Sequence, residues 1–130
     1  MSEKEKALKR FEEWEKYALE DEQIILIAIK ENGPPNQICL HAEQMGEKYL
    51  KGYLAYQKVS PVKTHQLDKL VLECKKYDKN FSKIEEEAIL LSDYYTETRY
   101  PGDVPQFSLK EAETAYKMAK NIRKIVLSLI

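Results

Sequence analysis

A chain of 130 residues with a formal net charge of −1, 33% charged residues and only 4 glycines is most simply one domain, long enough to bury a real core. The near-neutral balance excludes a global field that would draw the protein onto nucleic acid or membrane, so a polyanionic partner has to meet a local patch. No apolar run approaches the ~20 residues of a membrane span, and the start Met1-Ser2-Glu3-Lys4-Glu5-Lys6 is too charged for a signal peptide; a soluble, cytoplasmic protein is the expectation.

The first helix is predicted from about Glu3 to Asn32. Phe11, Trp14, Ala18, Asp21, Ile25, Ala28 and Ile29 recur at steps of three and four, drawing one apolar stripe with Asp21 as its single acidic interruption. Gly33-Pro34-Pro35 ends it, because glycine suits the C′ position and proline cannot continue a helix. The second helix is predicted to start at Asn36 as N-cap, with Ile38, His41, Ala42, Met45, Tyr49, Gly52, Tyr53 and Tyr56 along one face. Cys39, Ala42 and Gly46 form a small-residue strip. Glycine inside a helix costs about 1 kcal/mol relative to alanine, so Gly46 implies a closely packed neighbour. Glu47 and Lys51 are an i, i+4 pair of the favourable orientation on what reads as the polar side.

Ser60-Pro61 makes a turn, and Thr64 is expected to cap a short third helix carrying Leu67, Leu70, Val71 and Cys74. Ser82 with Glu85, and Ser108 with Glu111, read as capping boxes for a fourth and a fifth helix. The fourth carries Ile84, Ala88, Leu91 and Tyr95; the fifth carries Ala112, Ala115, Ala119, Ile122, Ile125, Val126 and Leu129. No segment shows sustained strand alternation. The expected fold is therefore all-α: an up-and-down helical bundle with one short additional helix between the second and the fourth.

Catalytic signatures are sparse. The chain has no G-x-G-x-x-G, no P-loop and no H-E-x-x-H, and its two histidines, His41 and His65, lack the Glu-x-x-His pairing of a bundle metal site. No metal and no cofactor are expected. Cys39 and Cys74 make neither a disulfide framework nor a zinc site and read as buried thiols. His41, within the apolar stripe, reads as a core histidine with a satisfied partner. Lys117, Lys120 and Lys124, with Arg123 adjacent, form a basic row on the last helix that either solvates a face or contacts phosphates.

The densest chemistry lies at Tyr94-Tyr95-Thr96-Glu97-Thr98-Arg99-Tyr100-Pro101-Gly102-Asp103, where a helical pattern stops. A guanidinium among phenols suits phosphates, bases or a partner carboxylate, although Arg99 can equally pair with Glu97 or Asp103. An outward tyrosine there would stack on a base or sit in a dimer interface. His65, beside the expected Thr64 cap, either bonds a loop or shares a cleft with Arg99.

Three blocks together resemble the HEPN domain family (higher eukaryotes and prokaryotes nucleotide-binding). Residues 38–52, Ile38 through Gly52, are similar to the family's second helix with its A-x-E-K-x-L-K core. Thr64-His65-Gln66-Leu67 is similar to T-H-x-L. Tyr94-Tyr95 with Thr98-Arg99-Tyr100-Pro101 is similar to Y-Y-x-x-x-R-Y-P. The resemblance implies an antiparallel four-helix bundle with a short additional helix, often a homodimer. It also implies a stand-alone module of the kind encoded beside a minimal nucleotidyltransferase in toxin–antitoxin or defence systems. Many such proteins are metal-independent ribonucleases that use an arginine followed four to six residues later by a histidine. Here no histidine follows Arg99, so no catalytic residue is assigned. The expectation is a non-catalytic or weakly catalytic module that binds a nucleotide, RNA or a nucleotidyltransferase partner through His65, Tyr95, Arg99 and Tyr100, with Glu47, Lys48 and Lys51 nearby. The alternatives are a ribonuclease with a rearranged site that recruits His65, and a structural dimerisation module.

Overall fold

The computed structural model describes residues 1–60, 62–94, 101–103 and 105–130. Its α-helices are α1 (Glu3–Lys30), α2 (Pro35–Tyr56), α3 (Leu67–Lys75), α4 (Glu85–Ser92) and α5 (Leu109–Ser128), with 3-10 turns over Lys79–Ile84 and Pro101–Asp103. No strand occurs among the described residues, and no helix there is long and apolar enough to cross a membrane.

Cross-helix contacts fix the directions. Arg10 meets the carbonyls of Ala55 and Tyr56 while Asp21 meets His41, so α1 and α2 run antiparallel. Tyr53 stacks edge-on against Phe81 at 4.6 Å between centroids, and Gly46 lies by Leu91, so α4 descends beside α2. Tyr94 stacks edge-on against Phe107 at 4.7 Å and Asn121 donates to Glu87 at 2.7 Å, so α5 climbs beside α4. The bundle is thus up-and-down along α1, α2, α4 and α5, and α3 is the short additional helix.

The core centres on α2. It packs chiefly against α1 and α5, which barely touch each other. Contact between α2 and α5, a parallel diagonal pair, needs small residues. Ala42, Ala112, Ala115 and Ala119 are fully buried, and a Cβ on Gly46 would stand 3.1 Å from Ile122 and 3.2 Å from Leu91. This is the packing reason that Gly46 implied. Around the seam Phe11, Ile25, Tyr49, Tyr53, Leu67, Leu70, Phe81 and Leu91 are buried, each contributing about 1.5–3 kcal/mol.

Several expected boundaries move, each because another group takes the task. Helix α1 ends at Lys30, and Asn32, with φ 55°, occupies the left-handed position assigned to Gly33. Gly33 instead donates its N–H to Ala28 at 2.6 Å, where a Cβ would lie 3.0 Å from the Ala28 side chain. Asn36 does not cap α2; Pro34 and Pro35 open that helix, and the Asn36 amide bridges to Pro105 O and Phe107 N at 2.8 and 2.9 Å. Ser82 forms no capping box. Asp78 caps the preceding 3-10 turn through the Asn80 N–H at 2.8 Å, and α4 starts only at Glu85. The Ser108–Glu111 capping box is present in full. Cys39 and Cys74 are buried free thiols, and burial raises both above the ordinary thiol range, Cys39 to about 11.

Candidate functional site

The T-H-x-L block folds as a plug and a presenter. Leu67 is fully buried against the Gly46 region of α2, which anchors the start of α3. The Leu67 N–H reaches Ser92 Oγ at 3.2 Å, tying that start to the end of α4. Thr64 turns the chain by accepting the Gln66 N–H at 3.1 Å, while Gln66 rather than Thr64 is the residue that precedes the helix. Between these anchors His65 faces α2. Its Nδ1 lies 3.1 and 3.2 Å from the two oxygens of Glu47. The same carboxylate receives Lys51 Nζ at 3.0 Å.

This Glu47–Lys51 pair differs from its expected place on a polar face. Glu47 is 8% exposed, because the loop after α2 brings His65 down onto it. A carboxylate in that setting needs a charged partner, which Lys51 supplies. By engaging Nδ1, it fixes the orientation of the ring.

Lys48 does not join this group. One residue further round α2, it pairs with Asp21 of α1, which also meets His41 Nδ1 at 2.9 Å. Asp21 is 4% exposed, so the acidic interruption in the α1 stripe is the hydrogen-bond partner of a histidine and the counter-charge of a lysine. His41 has the satisfied partner that its position suggested. Of the candidate residues, the structure brings His65, Glu47 and Lys51 together and separates Lys48. Tyr95, Arg99 and Tyr100 lie outside the described residues. Tyr94 is half-buried against Phe107, and burial raises its phenol.

Sequence reasoning missed Glu43, which lies between the two groups. It is fully buried, and neither of its oxygens has a hydrogen-bond partner among the described residues. Burial first and Glu47 second push its carboxyl up to about 9, against the opposing pull of Lys51; it is therefore a neutral acid at neutral pH. The only signal was its place one turn before Glu47.

The basic row on α5 is partly occupied. Arg123 donates to Glu22 at 2.7 Å, and Tyr116 donates to the same carboxylate at 2.6 Å. Burial alone would raise Glu22, but these two bonds outweigh it and hold the carboxyl below its ordinary range; burial and the Glu22 bond push Tyr116 up to about 12. Lys120 lies 4.3 Å from the Tyr116 ring centroid, and Lys117 and Lys124 remain exposed. Among the described residues no group of three or more His, Cys, Asp or Glu could hold a metal ion.

The HEPN domain model matches residues 11–129, a span that takes in the His65–Glu47–Lys51 group and both flanking motifs. The chain belongs to the HEPN domain family. The HEPN domain is a helical module of nucleotide-binding and ribonuclease type. Neither the curated proteins nor the solved structures give a match.

Proposed function

We propose that this HEPN domain binds a nucleotide or RNA at the corner where α2 meets the start of α3, and docks there with a nucleotidyltransferase-type partner in a toxin–antitoxin or defence setting. The observation that carries the reading is the imidazole of His65 held by both oxygens of Glu47 while Lys51 engages the same carboxylate. An oriented imidazole beside a lysine is polar chemistry of a kind that suits a phosphate oxygen or a ribose hydroxyl. The family motif adds Arg99 as the phosphate-reading cation and Tyr95 and Tyr100 as stacking surfaces.

A second reading is favoured by the same pair. A histidine backed by a carboxylate is a general base in waiting, and RNA cleavage needs one near the 2′-hydroxyl. In that reading His65 substitutes for the histidine absent after Arg99.

Calorimetric titration of the whole chain with mononucleotides and short RNA, run beside metal-free incubation with a mixed RNA pool, separates the two. Binding without cleavage, weakened about tenfold in His65→Ala and Glu47→Gln, supports the binding module. Cleavage lost in both His65→Ala and Arg99→Ala makes the protein a ribonuclease. Neither binding nor cleavage sinks both readings.

A further inference from the structure

Lys51 has a neighbour besides Glu47. Its ammonium lies 5.8 Å from the ring centroid of Trp14 on α1. The two side chains wall a cleft of about 200 Å³ together with Leu54, Val59, Val62 and Lys63. Trp14, Ala55, Val59 and Ser60 also line an adjoining hollow of about 260 Å³, whose rim carries Arg10, Lys58 and Glu13.

The cleft is built by local chain geometry. Helix α2 ends with Lys58 in the left-handed region at φ 62°. Val59 N–H then turns back to Leu54 O at 2.9 Å, the closing bond of a helix-terminating turn. That reversal lays Val59 and Val62 over Leu54 and Trp14. Arg10 locks the far wall by donating to Ala55 O at 2.7 Å and Tyr56 O at 3.2 Å. These bonds hold the walls in place without any ligand, as in other preformed sites.

The chemistry is one-sided. The walls are aromatic and aliphatic, and Lys51 and Lys63 supply the charge at the rim of the first cleft. Glu47 offsets Lys51, whereas Lys63 is exposed and enters no ion pair among the described residues. A slot of this kind takes a flat apolar body with an anionic tail. Its volume lies below the roughly 300–1,000 Å³ of sites that enclose a drug-sized ligand, so it accommodates one ring system and leaves the tail outside, at the lysines. A long acyl chain finds no room there.

We propose that the Trp14 cleft is a base-binding subsite: the planar base of a nucleotide lies against the Trp14 indole, with its phosphate on Lys51 and Lys63. This rests on the nucleotide reading above and extends it, through Lys51, from the His65 corner to the end of α2. Base–aromatic stacking contributes about 1–3 kcal/mol per base, enough to matter beside the largely buried Lys51 and the exposed Lys63. The shared ligand chemistry is a base with an adjacent phosphate, and its source is either a free mononucleotide or the 5′-phosphorylated end of an RNA strand.

Trp14 is the sole tryptophan of the chain, so its fluorescence reports this cleft alone. The full chain is titrated with AMP, adenosine, and a hexaadenylate with or without a 5′-phosphate, and total binding is followed in parallel by calorimetry. The expected result is saturable Trp14 quenching by the phosphorylated ligands. Adenosine should bind about tenfold more weakly, and Lys63→Ala should weaken AMP about threefold. Stronger binding of AMP than of the oligonucleotide identifies a free nucleotide as the source; the reverse order identifies an RNA end. Trp14→Ala, which removes the stacking ring, should weaken calorimetric binding of AMP about tenfold. Binding seen by calorimetry without quenching, and indifferent to Lys63→Ala, overturns the cleft while leaving nucleotide binding intact. Quenching by adenosine as strong as by AMP overturns the role of the lysines. Absence of binding by both methods removes the subsite and the nucleotide reading together.

Discussion

Two groups of identical composition sit on α2: a carboxylate, a histidine and a lysine. In the first, Asp21 comes from α1, while His41 and Lys48 come from α2. In the second, Glu47 and Lys51 come from α2 and His65 from the loop before α3. The first carboxylate is 4% exposed and its histidine side chain 22%; the second is 8% exposed and its histidine side chain 51%. Residue types therefore do not separate a clamp from a site. What separates them is whether the imidazole closes against a second long helix or is presented at the surface. The His41 group holds α1 to α2, and the His65 group aims a ring.

The comparison breaks most directly at Asp21. Asp21→Ala leaves Lys48 without its counter-charge and His41 without its hydrogen-bond partner, and is expected to destabilise the protein by about 3 kcal/mol, read from urea unfolding. A loss below about 0.5 kcal/mol, the range of an ordinary surface substitution, would mean that this group fastens nothing.

Glu43, lying between the groups, gives the next largest effect. Its carboxyl is raised to about 9 by burial and then by Glu47, above the unfolded value of about 4.3. A carboxyl raised in the folded state favours folding fully below the unfolded value, and that contribution is lost as pH climbs through about 9. Glu43→Leu should therefore gain about 1–3 kcal/mol at neutral pH and flatten the decline toward alkaline pH. Unfolding curves of both proteins across that range check it; an equally steep decline in the variant assigns the pH dependence to another group.

The smallest expected effect sharpens the comparison most. His65→Ala should stay within about 0.5 kcal/mol of the parent in stability, because its ring is half in solvent and Leu67 and Thr64 hold the turn. If the variant proves as destabilised as Asp21→Ala, then His65 is a second clamp and the presented-ring interpretation fails.

Much of this was legible in the sequence, for local reasons. Stripes at steps of three and four located the helices. Gly46 announced a tight neighbour. The Ser108–Glu111 box succeeded because both its bonds close within four residues. Asp21 stood out as an acid in an apolar stripe, although nothing in the pattern named His41 and Lys48 as its partners. The failures share a cause. Asn36 looked like a cap but reached across some seventy residues to Phe107, and Asp78 intercepted the role given to Ser82. Glu47 and Lys51 looked solvated because their cover comes from a loop with no periodicity to read. Glu43 was invisible for the same reason.

Helix α1 has a further property that follows from its attachment. It packs along α2 and barely meets α5, apart from the bridges that Glu22 makes to Tyr116 and Arg123. Its hold is therefore one-sided: a seam of Phe11, Ala18 and Ile25, a bolt at Asp21, and a tether at Arg10. A unit secured in this way opens as a whole, sub-globally, while the α2–α5 diagonal stays closed. Amide protons of α1 should then exchange with solvent as one cooperative block at a free energy below that of global unfolding. Since Trp14 and Arg10 belong to that block, occupancy of the cleft at the end of α2 would be linked to the opening of the first 30 residues.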